Sequence, residues 1–215
     1  MKLRIVVTAG PTREWLDPVR FLSNPSSGRM GFAIAEAAAR RGHDTTLVAG
    51  PVSLATPSGV KRIDVETARE MAATVRAALR GGAPTATVLV AAAAVADWRP
   101  ARRAAKKLKK TAMSGVLRLV RNPDVLASAR GCRKVGFAAE TGDPEKEALR
   151  KMREKSLEAI VANDVSEPGS GFGTATNRAT LYRRDGTHVA FPPMSKKALA
   201  ARIIAEIEKG PAPIA

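Results

Sequence analysis

The 215-residue sequence has one cysteine, Cys132, and two histidines, His43 and His188. An internal disulfide is excluded, and a zinc cluster of Cys and His would lack ligands. A single thiol suits a reducing cytoplasm. Met1-Lys2-Leu3-Arg4-Ile5 leads directly into a strand pattern, without the features of a signal peptide. A cytoplasmic location is expected. No apolar run approaches the roughly 20 residues that span a bilayer, so no membrane partner is expected. Aromatic residues are 4% of the chain, so the core must be mainly Ala, Val, Leu and Ile. Three motifs are also missing: Gly-x-Gly-x-x-Gly after the first strand, Gly-Lys-Ser/Thr, and Gly-x-Ser-x-Gly. Their absence argues against a standard dinucleotide fold, a P-loop and a hydrolase triad.

Basic residues are in excess, with a formal charge of +16. The excess suits nucleic acid, a pocket for polyanionic small molecules, or merely a solvated basic surface. The cations are not one continuous run, and rings for base stacking are few, so nucleic acid is the weakest of the three. With 45% hydrophobic and 26% charged residues, the composition is that of a globular protein. One domain over 1–210 is expected, with a loose tail at 211–215 and no internal repeats.

The densest functional stretch is Ser23-Asn24-Pro25-Ser26-Ser27-Gly28-Arg29-Met30-Gly31. It lies between an apolar run at 3–9 and a helical pattern over 29–41. The first N–H groups of a helix lack intrahelical partners, and its dipole favours an anion there. Ser26 and Ser27 can cap the helix or donate to a phosphate, and Gly28 and Gly31 permit close backbone approach. One cap needs one side chain. Several donors in one loop favour a ligand over a merely capped helix. Asn24 reads either as a loop-stabilising turn residue or as an amide donor to a reacting carbonyl or phosphoryl oxygen.

The remaining pattern alternates strands and helices. Gly10-Pro11-Thr12 ends the first strand, and the connection to Ser27, with Arg13, Glu14, Asp17 and Arg20, is long enough to suggest function. Gly42 closes the first helix. Strands follow at 45–49 and 60–65, then a Thr67-capped helix to about Leu79. Residues 87–94 form a continuous apolar run, as in a central parallel strand. Residues 99–111 form a basic, flexible segment. A short strand at 117–120 precedes Asn122-Pro123-Asp124, which starts a helix with proline early in it. Strands at 134–138 and 159–162 flank a helix from Pro144 to about Ser156. A Gly/Ser/Pro-rich loop spans 163–177. Arg184-Asp185-Gly186-Thr187 turns a hairpin, and Ser195 caps a final helix through Ile203, Ile204 and Ile207. The expected fold is α/β: a single Rossmann-like, doubly wound, mostly parallel sheet with a basic flap and a C-terminal hairpin plus helix. Ligands in such sheets sit beyond the strand C-termini. That rim carries Gly10-Pro11-Thr12, Gly50-Pro51 and Ala94-Val95-Ala96-Asp97.

Lys151 and Lys155 share a helix face. Spacing alone favours a solvated face paired with Glu147 and Glu154. Lys107 to Lys110 read as a surface loop, or as a lid over a triphosphate. Asp97 can cap a turn, contact a nucleotide or help hold a metal.

Thr8-Ala9-Gly10-Pro11-Thr12-Arg13-Glu14, Asp17-Pro18-Val19-Arg20, the Ser23–Gly31 stretch and Ala93-Ala94-Val95-Ala96-Asp97 form an ordered set. Lys107-Leu108-Lys109-Lys110, Asn122-Pro123-Asp124, Gly136-Phe137-Ala138-Ala139-Glu140-Thr141 and Ala162-Asn163-Asp164 continue it. Together, over nearly the whole chain, they resemble the phosphopantothenate–cysteine ligase family, the phosphopantothenoylcysteine synthetases of coenzyme A biosynthesis. The resemblance implies a CTP- and Mg²⁺-dependent ligase acting through an acyl-cytidylate. It implies three small-molecule partners: 4′-phosphopantothenate, L-cysteine and CTP. It also implies a homodimer, and either a stand-alone ligase or one part of a protein with a flavin-dependent decarboxylase half.

By motif position, the resemblance assigns nucleotide contacts to Ala91, Ala92, Ala93, Ala94, Asp97, Lys107, Pro123, Asp124, Val125, Leu126 and Phe137. It adds Lys151 and Lys155, against the solvated-face reading. Asn24 and Lys107 are the implied catalytic groups. Gly10, Ser26, Ser27 and Gly28 serve phosphate groups, and Arg20 helps hold phosphopantothenate across a subunit interface. Metal ligands are not assigned. Trp98 departs from the family by standing where a smaller aromatic is expected, and extra Arg and Ala residues blur the register of the Lys segment. A basic α/β nucleic-acid-binding module is the principal alternative. A dinucleotide or nucleotide-sugar reductase is a third reading, disfavoured by the missing glycine fingerprint.

Overall fold

The computed structural model describes residues 1–109, 115–140, 144–164 and 176–210. Eight strands make the main sheet: β1 (Arg4–Ala9), β4 (Asp44–Ala49), β5 (Val60–Asp64), β6 (Thr87–Ala91), β9 (Arg133–Glu140), β10 (Ala159–Asp164), β11 (Thr176–Arg183) and β12 (His188–Ser195). Their order is β12-β11-β10-β9-β6-β1-β4-β5. The six from β5 to β10 are parallel, and the β11–β12 hairpin adds antiparallel strands beyond β10. Chain order reverses between β1 and β6. That switch point is where a doubly wound sheet opens a crevice at its strand C-termini.

The central strands are apolar without alternation because helices cover both faces. Ile5, Val7 and Ala9 of β1 face a core with α1 (Arg29–Arg40) and α5 (Lys196–Glu208), whereas Val6 faces a second core with α2 (Ala68–Leu79), α3 (Val125–Ser128) and α4 (Pro144–Glu154). Gly31 lets α1 approach β1 closely. A Cβ there would lie 2.5 Å from the Ala9 Cβ, so any larger residue forces the helix away from the strand.

The expected caps at Thr67 and Ser195 are present. Thr67 forms a reciprocal box with Glu70, and Ser195 Oγ accepts from the Ala198 N–H at 3.2 Å. Gly42, at φ +82°, ends α1 as expected.

Several expectations require correction. Ser26 and Ser27 do not cap α1. Gly28 holds the N-cap position in the left-handed region at φ +74°, with no side-chain cap. Its turn takes the chain against Gly10 and Val52, where a side chain would crowd: a Cβ would stand 3.1 Å from Val52 Cγ1. The long connection after β1 contains a small hairpin, β2 (Arg13–Trp15) with β3 (Phe21–Ser23). β6 ends at Ala91 rather than 94, and Pro11 and Ala94 form an isolated parallel bridge.

The described part of the expected flexible segment, residues 99–109, is not uniformly loose. β7 (Trp98–Pro100) pairs with β8 (Leu119–Arg121), and Ala104 N–H donates to Leu16 O at 2.8 Å. Pro123 precedes the single turn of α3 rather than lying in it, and Asp124 is the cap. β10 and β11 shorten the expected 163–177 loop at both ends; residues 165–175 lie outside the described residues, as do Lys110, Thr141 and the expected tail at 211–215.

Candidate active site

A cleft of about 690 Å³ opens beyond the C-terminal ends of β1 and β6. That volume lies within the roughly 300–1,000 Å³ of small-molecule sites. Its lining joins segments far apart in sequence: Asn24 and Ser26–Met30, Ala91–Trp98, Arg121–Leu126, Phe137, Ala139, Lys151, Lys155, Asn163, Asn177 and Lys196.

The floor is fixed by β1. Thr8 Oγ1 accepts from the Ala93 N–H at 3.3 Å, Gly10 O from Ala94 N–H at 2.9 Å, and Thr12 Oγ1 from Ala96 N–H at 3.0 Å. These bonds steer the chain past β6 into a shelf carrying Asp97 at the exposed rim. Asn122 holds the far side, its Nδ2 donating to Ala96 O at 2.8 Å. Asn24 ties the α1 loop to the shelf, its Nδ2 donating to Ala94 O at 3.3 Å and Val95 O at 3.2 Å. Ser26 Oγ accepts from the Gly28 N–H at 3.3 Å and tightens that loop.

Asp124 connects two walls. It caps α3 by accepting from the Ala127 N–H at 2.8 Å and pairs with Lys155 Nζ at 2.8 Å. Burial opposes its ionisation, but the Ala127 N–H and the Lys155 ammonium outweigh that and hold the carboxyl below its usual range. Glu147 and Glu154 also have a cationic partner that spacing between the two lysines did not single out. Both carboxylates lie on Arg150, at 2.8 and 2.6 Å.

The cations lining the cleft are Arg29, Arg121, Lys151, Lys155 and Lys196, and the carboxylates are Asp97 and Asp124. This excess suits a polyanion. Among the described residues, no group of three or more His, Cys, Asp or Glu gathers as a metal cage. The donor set nonetheless fits a Mg²⁺ that arrives on a triphosphate, which needs only one or two protein carboxylates. Asp97 is suitably exposed for that.

The cleft gathers most of the residues the sequence singled out: Asn24, Ser26, Ser27, Gly28, Ala91 to Ala94, Asp97, Pro123 to Leu126, Phe137, Lys151 and Lys155. Gly10, Arg20 and Lys107 lie outside its lining. Gly10 sits behind Gly28: a Cβ on Gly28 would be 3.4 Å from the Gly10 Cα. Arg20 is paired with buried Asp17 at 2.5 Å and donates to Leu108 O at 3.0 Å. Asp17 also accepts from the Leu108 N–H at 3.2 Å, so this pair anchors the start of the Lys segment. The Arg20 guanidinium, against the opposing effect of burial, holds the Asp17 carboxyl well below the usual range. Lys107 is exposed beside this anchor.

Residues 1–210 match the family described as the DNA/pantothenate metabolism flavoprotein C-terminal domain. The chain belongs to this family. It is 48% identical over 210 residues to the coenzyme A biosynthesis bifunctional protein CoaBC of Escherichia coli strain K12, covering 94% of this chain and 50% of that protein. It is 42% identical over 208 residues to CoaBC of Bacillus subtilis strain 168, covering 94% of this chain and 50% of that one. The chain thus spans about half the length of the curated relatives it matches. A crystal structure of the C-terminal domain of CoaBC aligns with a TM-score of 0.80 at 38% identity, covering 96% of this chain and 94% of that chain. The structure of a Cab2 H337A mutant in complex with phosphopantothenate-cysteine shares the fold, with a TM-score of 0.78 at 15% identity, covering 96% of this chain and 87% of that one.

Within this family fold, sequence reasoning missed Arg29, Arg121, Asn163, Asn177 and Lys196 as cleft residues. Asn163 and Asn177 are buried on β10 and β11, and Lys196 begins α5. The sheet brings the two asparagines to the cleft and the packing of α5 beside α1 brings Lys196, so no local spacing signals them. Among the described residues, no helix is long and apolar enough to cross a membrane.

Proposed function

We propose that this domain joins 4′-phosphopantothenate to L-cysteine, cleaving CTP to CMP and pyrophosphate, in coenzyme A biosynthesis. The observation that carries the reading is one cation-rich cleft at the sheet's switch point, lined by the α1 loop, the Ala91–Asp97 shelf and the Lys151/Lys155 pair. Membership of the pantothenate-metabolism family supports it. So do the names of the CoaBC relatives and of the ligand in the Cab2 complex.

In the first step, a carboxylate oxygen of phosphopantothenate attacks the α-phosphorus of CTP. A P–O bond to the β-phosphate breaks, pyrophosphate leaves, and an acyl-cytidylate remains. In the second, the cysteine amine attacks the acyl carbon, the C–O bond to CMP breaks, and the nitrogen loses a proton. Two anions must meet in the first step, so positioned cations lower its barrier. Lys151, Lys155 and Arg121 supply such charge, and Asp124 holds Lys155 in place until phosphate competes for it. Ala91 to Asp97, Pro123 to Leu126 and Phe137 form the nucleotide wall. Bound on the triphosphate, Mg²⁺ would supply further charge neutralisation, with Asp97 as its protein carboxylate. Lys107 reaches the phosphates when the Lys segment closes. Gly10 keeps the phosphate-binding loop of Ser26, Ser27 and Gly28 in place, and Asn24 hydrogen-bonds the reacting acyl group.

The active form is a cytoplasmic homodimer in which Arg20 contacts the partner's phosphopantothenate. The bifunctional CoaBC relatives, about twice the matched length, support a flavin-dependent decarboxylase as the companion of this domain, fused to it or separate from it.

The deciding experiment follows pyrophosphate release with phosphopantothenate and CTP, ATP, GTP or UTP, with and without cysteine. CTP should release pyrophosphate without cysteine and turn over only with it. Release with ATP but not CTP would overturn the nucleotide assignment. No release with any nucleotide would overturn the ligase reading, and a steep salt dependence of RNA or DNA affinity would then favour the nucleic-acid module.

A further inference from the structure

The β2–β3 hairpin turns through residues 16–20, and Asp17 in that turn is fully buried. A carboxylate is costly to bury unless several donors reach it. Its two oxygens are used differently. Oδ1 serves the turn itself, accepting from the Val19 N–H at 2.8 Å and the Arg20 N–H at 2.9 Å. Oδ2 accepts from Arg20 Nε at 3.0 Å and reaches 91 residues along the chain to the Leu108 N–H at 3.2 Å. Arg20 Nη2 completes the grip by donating to Leu108 O at 3.0 Å. One ion pair therefore holds both backbone groups of Leu108, whereas the turn alone would need only Oδ1.

The segment so gripped has no acidic residue from Trp98 to Pro123, and it carries Arg99, Arg102, Arg103, Lys106, Lys107 and Lys109. Such a run repels itself and extends into water unless it is tied down. Three ties hold it to the hairpin. The Arg103 guanidinium lies over the Trp15 ring at 5.4 Å, the Ala104 N–H donates to Leu16 O at 2.8 Å, and Leu108 sits in the clasp. Only Ala105, Lys106 and Lys107 lie between the last two ties. The Cα of Lys107 is thus about 3.8 Å from that of a fixed residue.

We propose that Asp17 is a positioning residue for the first step: through its grip on Leu108 it sets the place from which Lys107 meets the nucleotide phosphates. Asp17 itself touches neither substrate. The inference rests on the ligase reading and on the part of Lys107 in it. Asn24 follows β3 directly. One hairpin therefore carries both catalytic groups, Asn24 at the end of its second strand and Lys107 through the clasp at its turn. The spacing between the donor to the acyl group and the cation on the phosphates is built into β2–β3.

The test is a double-mutant cycle on pyrophosphate release from CTP and phosphopantothenate, followed in the full chain, Asp17→Asn, Lys107→Ala and the two combined, each checked by its melting temperature. Asparagine keeps an oxygen for the Val19 and Arg20 N–H groups but puts an amide, which cannot accept, where Oδ2 meets Leu108. Asp17→Asn should lower the maximal rate of release about 10- to 100-fold, the scale of a misplaced reacting group. The KM values for CTP and phosphopantothenate should stay within about twofold of wild type. Added to Lys107→Ala, the same substitution should cost less than about twofold more, because the group it positions is already gone. Leu108→Pro removes the same N–H and leaves Asp17 and Arg20 in place. It should reproduce the loss and the coupling, and it carries the test if Asp17→Asn does not fold. Losses that multiply in full, as a merely structural role gives, would overturn the proposal. So would an unchanged rate in Asp17→Asn, or a loss that appears as a raised phosphopantothenate KM, which would assign Asp17 to Arg20 alone. If wild type releases pyrophosphate and the cycle shows no coupling, this inference alone falls. If wild type releases none with any nucleotide, the ligase reading falls with it.

Discussion

The starts of α1 and α2 are built in opposite ways. α2 is sealed by its own surroundings. Thr67 Oγ1 accepts from the Glu70 N–H at 3.2 Å, Glu70 accepts from the Thr67 N–H at 3.3 Å, and buried Glu14 accepts from the Ala68 N–H at 2.9 Å. α1 starts at a left-handed glycine with no side-chain cap and faces the cleft. A sealed start spends its donors and its positive end on stability. An open one keeps them for an arriving anion. The long β1–α1 connection divides along the same line. Glu14 and Asp17 hold neighbouring segments together, while Asn24 to Gly28 border the cleft.

The largest effect should come from cutting the open start's tie to the shelf. Asn24→Ala should lower turnover about 100-fold or more, the scale of losing one oriented donor at a reacting oxygen. Melting should change little, and quenched reactions should accumulate acyl-nucleotide after pyrophosphate is released. Full turnover with no intermediate would reduce Asn24 to a loop tie. Gly28→Ala comes next. Alanine in the left-handed region costs about 1–2 kcal/mol, and its Cβ would stand 3.1 Å from Val52 Cγ1. Substrate kcat/KM should fall about tenfold as the loop shifts, together with the melting temperature. A drop in melting temperature with unchanged kinetics would show that the open start is not used.

The sealed start was the more legible of the two. Thr67 with Glu70 three residues on, and Ser195 before an apolar-periodic run, are local signals, and both caps stand where the sequence puts them. The parallel strands were legible for the same reason, as apolar runs bounded by Gly and Pro. Ser26 and Ser27 mislead because they look like caps, while the left-handed turn at Gly28 depends on Gly10 and Val52, partners distant in sequence or brought close only by the fold. β2–β3 and β7–β8 are three-residue strands, too short to show alternation. Lys151 and Lys155 came from family resemblance against their own spacing. Their position in the cleft follows from α4 packing beside β9 and β10, while Glu147 and Glu154 pair with Arg150. Lys196 reads locally as an ordinary first-turn lysine, and only the packing of α5 beside α1 gives it a place in the cleft.

Breaking the sealed start should separate stability from chemistry. Glu14→Ala leaves the Ala68 N–H without its carboxylate, at a cost of about 1–3 kcal/mol for an unsatisfied buried donor. Denaturant unfolding should show that loss, while kcat and KM of the folded enzyme stay at wild-type values. A change in KM for either substrate would mean that α2 and the hairpin β2–β3 communicate with the cleft.

The α3 start is intermediate: capped, yet inside the cleft, by a carboxylate that also holds Lys155. Asn caps a helix about as well as Asp, so Asp124→Asn removes the charge and keeps the cap. The groups are partly exposed, with side chains 44% and 30% accessible, so solvent screening keeps the pair's contribution at or below about 1 kcal/mol. Because folding lowers the Asp124 pKa, the wild-type advantage should be complete above the unfolded carboxylate value of about 3.9. It should fade as pH falls through the lower folded value, where both states bind the proton. Denaturant midpoints of wild type and Asp124→Asn across that window, at low and high salt, measure it. A gap that stays constant with pH and salt would assign the difference to packing, and would remove the charge link between the α3 start and the lysine wall.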